Sequence, residues 1–253
     1  LYVEAQATEV QLRHLNETLE ERVAERTAEL ERSNQELDRF AYIVSHDLKA
    51  PLRAINNLAL WIHEDALDAL PATAQTHLTK LRGRVQRMER LLDDLLIYSR
   101  TGRIDHAPQL VQLASFVRSI FDLLAPPPDF TLIIHDEVSE LYTQRVPLET
   151  VLRNLIGNAI KHHDRPDGQL ILAMREVNEW VEIEVADDGP GIAPLFHQRI
   201  FEMFQTLRPR DQVEGSGMGL AIVKKTVENL GGTITLESEL GQGSRFRFLW
   251  PKR

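Results

Sequence analysis

The 253-residue sequence contains no cysteine, which excludes disulfide bonds, thiolate metal sites and cysteine nucleophiles. No run of about 18 apolar residues is present, so we expect no membrane-spanning helix. Lysine and arginine number 29 against 38 aspartates and glutamates, and the net charge of −9 argues against general nucleic-acid binding, which needs a basic surface. No signal peptide is visible and the first residue is Leu1, so we expect a piece of a longer protein, with these domains in the cytoplasm and either a membrane anchor or a sensor upstream.

Glycine and proline are scarce in residues 1–100, which hold only Gly83, Pro51 and Pro71. This stretch is rich in leucine, glutamate, arginine and alanine, all of which favour helices. Residues 101–253 hold every other glycine and proline and most of the alternating apolar runs. We therefore predict an all-helical first part and a mixed α/β second part, divided at residues 101–108.

The helical part begins with apolar side chains at coiled-coil spacing. They are Leu12, Leu15, Leu19, Val23, Leu30, Leu37 and Val44. The step of four from Leu19 to Val23 shifts the phase, and Thr27 and Asn34 weaken the seam. A single solvated helix is one interpretation. We favour a parallel dimeric coiled coil over residues 1–39, because the pattern continues without a cap into the next segment.

The apolar pattern then continues through two helices separated by a break at residues 65–71. On the first helix it comprises Ala41, Val44, Leu48, Pro51, Ile55, Leu58 and Ile62. On the second it comprises Leu78, Leu81, Val85, Met88, Leu92 and Leu95. This predicts an αα-hairpin over residues 40–103, and we expect it to dimerise into a four-helix bundle because a lone hairpin buries its apolar faces poorly.

His46 lies away from this seam, between Val44 and Leu48, and is predicted to face water. Asp47 follows it, and Pro51 is expected to kink the helix just beyond. A carboxylate can hold the proton of one imidazole nitrogen and leave the lone pair of the other free to attack. An exposed helical histidine is ordinarily a plain surface residue, so this observation alone leaves both interpretations open.

A carboxylate and two glycines follow an alternating, strand-like run over residues 180–185. They are Asp187 and the two glycines of a first glycine string, Gly189 and Gly191. Glycines permit a tight turn, and a carboxylate at a strand end suits a hydrogen bond from an exocyclic amine such as that of adenine.

A second glycine string, Gly215, Gly217 and Gly219, opens a helix predicted to run to about residue 230. Glycines before a helix N-terminus expose backbone N–H groups to phosphate. The spacing is not that of a dinucleotide-binding fold, and the absence of Gly-Lys-Ser/Thr excludes a P-loop.

A helix predicted at about residues 147–162 carries Asn154, Asn158 and Lys161 on one face. These side chains could form a solvated stripe. An asparagine oxygen also suits Mg²⁺, and a lysine suits phosphate. Together with the two glycine strings, this face predicts a site for Mg-ATP.

In the order of these motifs, the sequence resembles the sensor histidine kinases of two-component signalling. Residues 45–53 resemble the H box of a HisKA-type dimerisation and phosphotransfer domain, and residues 154–161 resemble the N box. Residues 187–191 and 215–220 resemble the two glycine boxes, 201–204 the F box, and 241–244 the closing glycine turn. The resemblance implies an α/β-sandwich ATP-binding domain of the Bergerat fold over residues 108–253, with a lid at about 192–214.

The resemblance also implies residue roles. His46 would be the phosphoacceptor and Asp47 its polarising base. Asn158 would coordinate Mg²⁺, Lys161 would contact phosphate and Asp187 would read the adenine amine. The cleft would be shaped by Gly189, Gly191, Phe204, Gly215, Gly217 and Gly219.

Two positions bear on which reaction is favoured. Related ATPases that hydrolyse ATP carry a glutamate four residues before the metal-binding asparagine. Here that position is Asn154, a poor base, which favours transfer to His46 over hydrolysis. Kinases of this type that also dephosphorylate their partner usually carry threonine or asparagine where this chain has Ala50, so we expect weak or absent phosphatase activity.

The resemblance implies a homodimer that passes a phosphoryl group from His46 to an aspartate of a response regulator receiver domain. Residues 45–51 are typical of kinases coupled to PAS or phytochrome-like sensors, which implies such a sensor upstream. His162 and His163 replace the common aromatic after Lys161. Two other functions stay open: a pseudokinase that binds ATP and signals by conformation, and an ATP-hydrolysing clamp of the related fold.

Overall fold

The computed structural model describes residues 2–102, 107–207 and 215–252. Its first part is a hairpin of two helices, α1 (Tyr2–Ala66) and α2 (Ala72–Arg100), joined by a 3₁₀ turn at Leu67–Ala69. The side-chain amide of Gln75 donates to the carbonyls of Leu67 and Leu70 at 2.9 and 3.1 Å and so ties the turn to the start of α2. The predicted hairpin is confirmed, and α1 continues through Pro51.

The stripe of α1 that is buried within the chain differs from the predicted one. Leu52 and Ala59 are buried, as is Val85 of α2. The predicted seam residues remain exposed: Leu48 by 46%, Ile55 by 43%, Leu58 by 56% and Ile62 by 48%. The predicted seam is therefore not the stripe that α2 covers within the chain. α1 carries two apolar stripes, and the second is left open to another hairpin.

Further toward the N-terminus, the described side chains of the leucine-rich stripe of α1 are exposed. Leu12, Leu15, Leu19 and Val23 are at least half exposed. The side chains of Leu30 and Leu37 lie outside the described part of the structure. An exposed apolar stripe of this kind is typical of one helix of a coiled coil.

The second part is an α/β sandwich. In chain order its elements are β1 (Gln109–Gln112), α3 (Leu113–Leu123), β2 (Thr131–Asp136), β3 (Glu140–Thr143), α4 (Arg145–His162), β4 (Gln169–Val177), β5 (Trp180–Asp187), α5 (Gly219–Asn229), β6 (Ile234–Ser238) and β7 (Ser244–Pro251). β1 and β3 form an antiparallel ribbon. The main sheet has the order β2-β4-β5-β7-β6, in which only β2 and β4 pair in parallel. The predicted mixed sheet is confirmed.

The core of this domain lies between one face of the sheet and helices α3 to α5. Alternate strand residues are buried, as expected for a sheet with one covered face. The bulkiest fully buried strand side chains are Leu170, Leu172, Met174, Ile183, Phe248 and Trp250. α4 buries Leu148, Val151, Leu152, Leu155, Ile156 and Ala159. Its polar residues therefore lie on the opposite side of the helix.

Element ends differ slightly from the predictions. α4 begins at Arg145 and β5 extends to Asp187. α5 begins at Gly219, because Gly217 has a φ of +73° and cannot belong to a right-handed helix. Within the described residues, no helix combines the length and apolarity needed to cross a membrane.

Candidate functional site

His46 lies on the outer face of α1, with 72% of its side chain exposed. Its Nδ1 is 3.1 Å from an oxygen of Asp47. This geometry lets Asp47 accept the Nδ1 proton, so that Nε2 carries the free lone pair. The ring of Tyr42, one turn earlier, stacks near the imidazole at a centroid distance of 6.4 Å. α1 therefore presents an oriented, accessible nitrogen nucleophile.

Two adjacent carboxylates of α2 reach other parts of the chain: one pairs with α1 and the other meets the second glycine string. Asp93 pairs with Lys49, which lies one turn after His46 on α1. Asp94 accepts a hydrogen bond from the hydroxyl of Ser216, in the second glycine string. Burial raises the pKa of Asp94, against the opposing effects of Ser216 and of the nearby positive charges of Arg153 and Lys161.

The polar face of α4 lies directly beneath the second glycine string. A Cβ atom on Gly219 would lie 2.6 Å from Oδ1 of Asn154, and one on Gly215 would lie 2.5 Å from Nζ of Lys161. The amide nitrogen of Asn154 donates to the carbonyl of Thr150 at 2.8 Å. The structure thus brings together two motifs that lie more than 50 residues apart, and any larger residue at either glycine would obstruct the α4 side chains.

Asp187 ends β5 beneath the first glycine string. Its Oδ1 accepts the backbone N–H of Gly189 at 3.0 Å. Burial raises the pKa of Asp187, although hydrogen bonds from the backbones of Gly189 and Ser244 oppose the shift. A cavity of about 490 Å³ opens beside this carboxylate; its other lining residues, which include His197 and Arg245, do not belong to α4 or to the second glycine string. The fixed acceptor beside open space is suited to a ligand amine.

The backbone of the first glycine string packs closely against the closing turn at residues 241–244. At Gly191 (φ +70°) a Cβ would lie 1.9 Å from the carbonyl oxygen of Glu239. At Gly243 (φ +76°) it would lie 1.9 Å from the carbonyl oxygen of Asp187. Only glycine fits at either position, and together they hold the backbone beside Asp187 in one conformation.

The F box packs between the sheet and the second glycine string. The Phe201 ring meets Phe246 edge-on at 6.3 Å. Phe204 has a φ of +63°, which is unusual for an aromatic residue, and a Cβ on Gly217 would lie 2.9 Å from its carbonyl carbon. Of the predicted lid at 192–214, residues 208–214 lie outside the described part of the structure.

The polar side chains of α4 are compatible with Mg²⁺ binding. Asn158 is half-buried on the same face of α4 as Lys161 and offers a hard amide oxygen. Among the described residues, no group of three or more acidic or histidine side chains could hold a metal ion alone. Mg²⁺ that arrives with a nucleotide needs only one or two protein ligands, because phosphate and water oxygens supply the others.

Sequence reasoning missed two residues that join the parts of the chain. Asp94 reaches Ser216, and Lys225 of α5 donates to the carbonyl of Tyr98, which lies 127 residues earlier. Neither belongs to a motif, and contacts between residues so distant in sequence leave no local pattern.

Comparisons with known proteins agree with this geometry. Residues 36–103 match the family described as His Kinase A (phospho-acceptor) domain. Residues 143–253 match Histidine kinase-, DNA gyrase B-, and HSP90-like ATPase. Together the two matches cover well over half of the chain. A phosphoacceptor hairpin followed by an ATPase-type sandwich defines a class of signalling protein. The chain belongs to the sensor histidine kinase family.

Curated relatives lead to the same family. Cyanobacterial phytochrome B of Nostoc sp. is 39% identical over 242 residues, covering 89% of this chain and 31% of that protein. Methanogenesis regulatory histidine kinase FilI of Methanothrix harundinacea is 33% identical over 235 residues, covering 90% and 26%. The chain thus spans about a third or less of the length of these relatives.

Among solved structures, full-length ShkA in complex with AMPPNP aligns with a TM-score of 0.65 and 27% identity, over 83% of this chain and 45% of that one. The histidine kinase AdeS of Acinetobacter baumannii aligns with a TM-score of 0.57 over 82% of this chain and 98% of that one. Its identity of 21% supports the fold alone.

Proposed function

We propose that the protein is an ATP-dependent protein-histidine kinase that phosphorylates its own His46 and passes the phosphoryl group to an aspartate of a response regulator receiver domain. One observation carries the proposal: the same chain contains an exposed His46–Asp47 pair and a second glycine string that lies against Asn154 and Lys161. A nucleophile and a phosphate-binding site are the two parts that phosphoryl transfer needs.

In the proposed reaction, Nε2 of His46 attacks the γ-phosphorus of ATP. The phosphorus–nitrogen bond forms as the bond to the bridging oxygen breaks, and ADP leaves with that oxygen. The proton on Nδ1 is held by Asp47, which stabilises the positive charge that develops on the ring. In the second reaction, a carboxylate oxygen of the receiver aspartate attacks the same phosphorus and His46 leaves as neutral imidazole.

The nucleotide would be held from two sides. Asp187 would accept a hydrogen bond from the adenine amine, and Lys161 with the backbone N–H groups near Gly215, Gly217 and Gly219 would hold the phosphates. Asn158 would hold Mg²⁺, which when bound offsets the negative charge of the phosphate oxygens. Asn154 is a neutral amide and a poor base, so water near the γ-phosphate is not activated.

The proposal includes a homodimer made by the exposed stripe of α1 that contains Leu48, Ile55, Leu58 and Ile62. Its parts would be a signalling coiled coil at 1–39, the phosphotransfer hairpin at 40–103 and the ATP-binding domain at 108–253. The phytochromes among the relatives support a PAS or phytochrome-like sensor upstream.

The test is incubation with ATP labelled at the γ-phosphate. We expect acid-labile label on the wild type, none on His46→Gln, and full label on His77→Gln, which changes another exposed helical histidine. Equal label on His46→Gln contradicts the assignment. Free phosphate without labelled protein indicates the clamp, and ATP binding without either product indicates the pseudokinase. Adding a phosphorylatable receiver domain then tests the second transfer.

A further inference from the structure

His163 follows the last residue of α4, and only 1% of its side chain is exposed. Its ring meets Phe130 edge-on at 5.2 Å. Both ring nitrogens have partners: Nε2 is 2.9 Å from an oxygen of Asp188, and Nδ1 lies 2.9 Å from the carbonyl oxygen and 3.1 Å from the backbone nitrogen of Arg165. A buried imidazole held at both nitrogens and at its edge has one orientation.

Asp188 is held by three donors from the segment between α4 and β4. Besides His163, the guanidinium of Arg165 donates at 2.8 Å and the backbone N–H of Gln169 donates at 2.6 Å. Desolvation acts to raise the pKa of Asp188, but the hydrogen bonds from Gln169 and His163 and the charge of Arg165 outweigh it and lower the pKa. The carboxylate therefore stays ionised and tied to this segment.

The same imidazole also limits the space beside the next residue of the turn. A Cβ on Gly189 would lie 3.2 Å from Cδ2 of His163, so the ring leaves little room for a side chain at this position. The N–H of Gly189 is in turn the donor that fixes Oδ1 of Asp187. His163 thus acts on two consecutive residues of the turn that holds Asp187: it forms a hydrogen bond with Asp188 and limits the space beside Gly189.

We infer that His163 is a positioning residue for base recognition: by holding Asp188 and backing Gly189, it sets the carboxylate of Asp187 for the exocyclic amine of the nucleotide. It also couples that turn to the end of α4, the helix that carries Asn158 and Lys161. The inference rests on the proposed function for the identity of the nucleotide. What it adds is that His163 affects how strongly the protein prefers adenine over another base.

Two substitutions separate the hydrogen bond from the packing. His163→Phe keeps an aromatic ring against Phe130 and removes the donor to Asp188. His163→Gln keeps a donor and removes the ring. His135→Gln is the matched control, because His135 is an exposed histidine on β2 of the same domain.

The experiment measures binding of ATP and of inosine triphosphate, which carries a carbonyl in place of the amine, to the full chain without turnover. We expect the wild type to prefer ATP, and His163→Phe to reduce that preference by about tenfold, the scale of one hydrogen bond to a charged group. Inosine triphosphate affinity should change by less than about twofold on the same scale. His163→Gln should recover most of the preference, and His135→Gln should keep all of it.

An unchanged ATP preference in folded His163→Phe overturns the inference, and so does an equal loss of affinity for both nucleotides, which would mean a merely structural role. If His163→Phe does not fold, Asp188→Asn replaces it: a reduced preference supports the inference and an unchanged one overturns it. A wild type that binds ATP no better than inosine triphosphate overturns the role of Asp187 in the proposed function, and this inference with it.

Discussion

Lys225 of α5 donates a hydrogen bond to the main-chain carbonyl of Tyr98 of α2 at 2.6 Å, and its ammonium lies 4.2 Å from the centre of the Tyr98 ring. One turn later on α5, Asn229 donates to the carbonyl of Thr101 at 3.1 Å. The last carbonyls of a helix have no partners within it, so α5 caps the end of α2. The ATP-binding domain is therefore docked on the hairpin through this helix end.

Replacing Lys225 with methionine should loosen this contact. Methionine keeps the apolar stem beside Tyr98 but removes both the donor and the charge. We expect amide hydrogen exchange in the last turn of α2 to become about tenfold faster, as for the loss of one charge-assisted hydrogen bond. Lys224→Met is the control, because Lys224 faces Glu228 on the same helix at 3.8 Å, and it should leave the exchange unchanged.

Removing the charge of Asp94 should favour nucleotide binding. This carboxylate lies near Lys161, where it competes with the phosphates for the ammonium and repels them. Asp94→Asn is expected to lower the KM for ATP a few-fold. Asp93→Asn, which breaks the pair with Lys49 instead, should leave KM unchanged. A KM that rises in Asp94→Asn would contradict the competition.

The raised pKa of Asp94 gives this contact a pH dependence. Burial in the docked state disfavours the charged carboxylate, so the docked state binds a proton more readily than the undocked state does. Docking should strengthen as pH falls through the raised pKa toward the ordinary value of 3.8 and weaken above it. Fluorescence energy transfer between labels on the two domains measures this, and Asp94→Asn should abolish the change.

Much of the fold could be predicted because its signals are local. Apolar spacing marked the hairpin, and the glycine strings marked turns in which a Cβ on Gly191 or Gly217 would meet the backbone of another segment. The stripe of α1 buried by α2 could not be predicted, because Leu48 and Leu52 lie one turn apart on the same helix and both are apolar. The burial of His163 also left no signal, since it depends on Phe130 and Asp188 folding back onto the end of α4.

Introducing a hydroxyl group at position 50 should enable this protein to act as a phosphatase. Ala50 is exposed one turn after His46 and has no polar atom to orient a water. We expect Ala50→Thr to speed the loss of phosphate from a phosphorylated receiver domain in the presence of ADP, by tenfold or more on the usual scale for a positioned polar group of about 10²–10⁴. Ala50→Val has the same shape without the hydroxyl and should remain inactive. Fast dephosphorylation by the wild type would contradict the prediction.

The indole of Trp250 on β7 and the hydroxyl of Thr143 on β3 join the main sheet to the ribbon by a buried hydrogen bond of 2.7 Å. Thr143→Val keeps the shape but leaves the indole N–H without a partner, which should reduce the free energy of unfolding by about 1–3 kcal/mol. Trp250→Phe leaves the hydroxyl unpaired and adds a cavity, so it should cost more.

The double variant should recover part of this loss, because neither polar group remains to be desolvated without a partner. We expect it to be about 1 kcal/mol more stable than the sum of the single changes predicts. Urea denaturation of the four proteins, followed by circular dichroism, measures the coupling. Strict additivity would mean that the ribbon is held by the packing of Trp250 alone, and that the hydrogen bond contributes nothing beyond the buried ring.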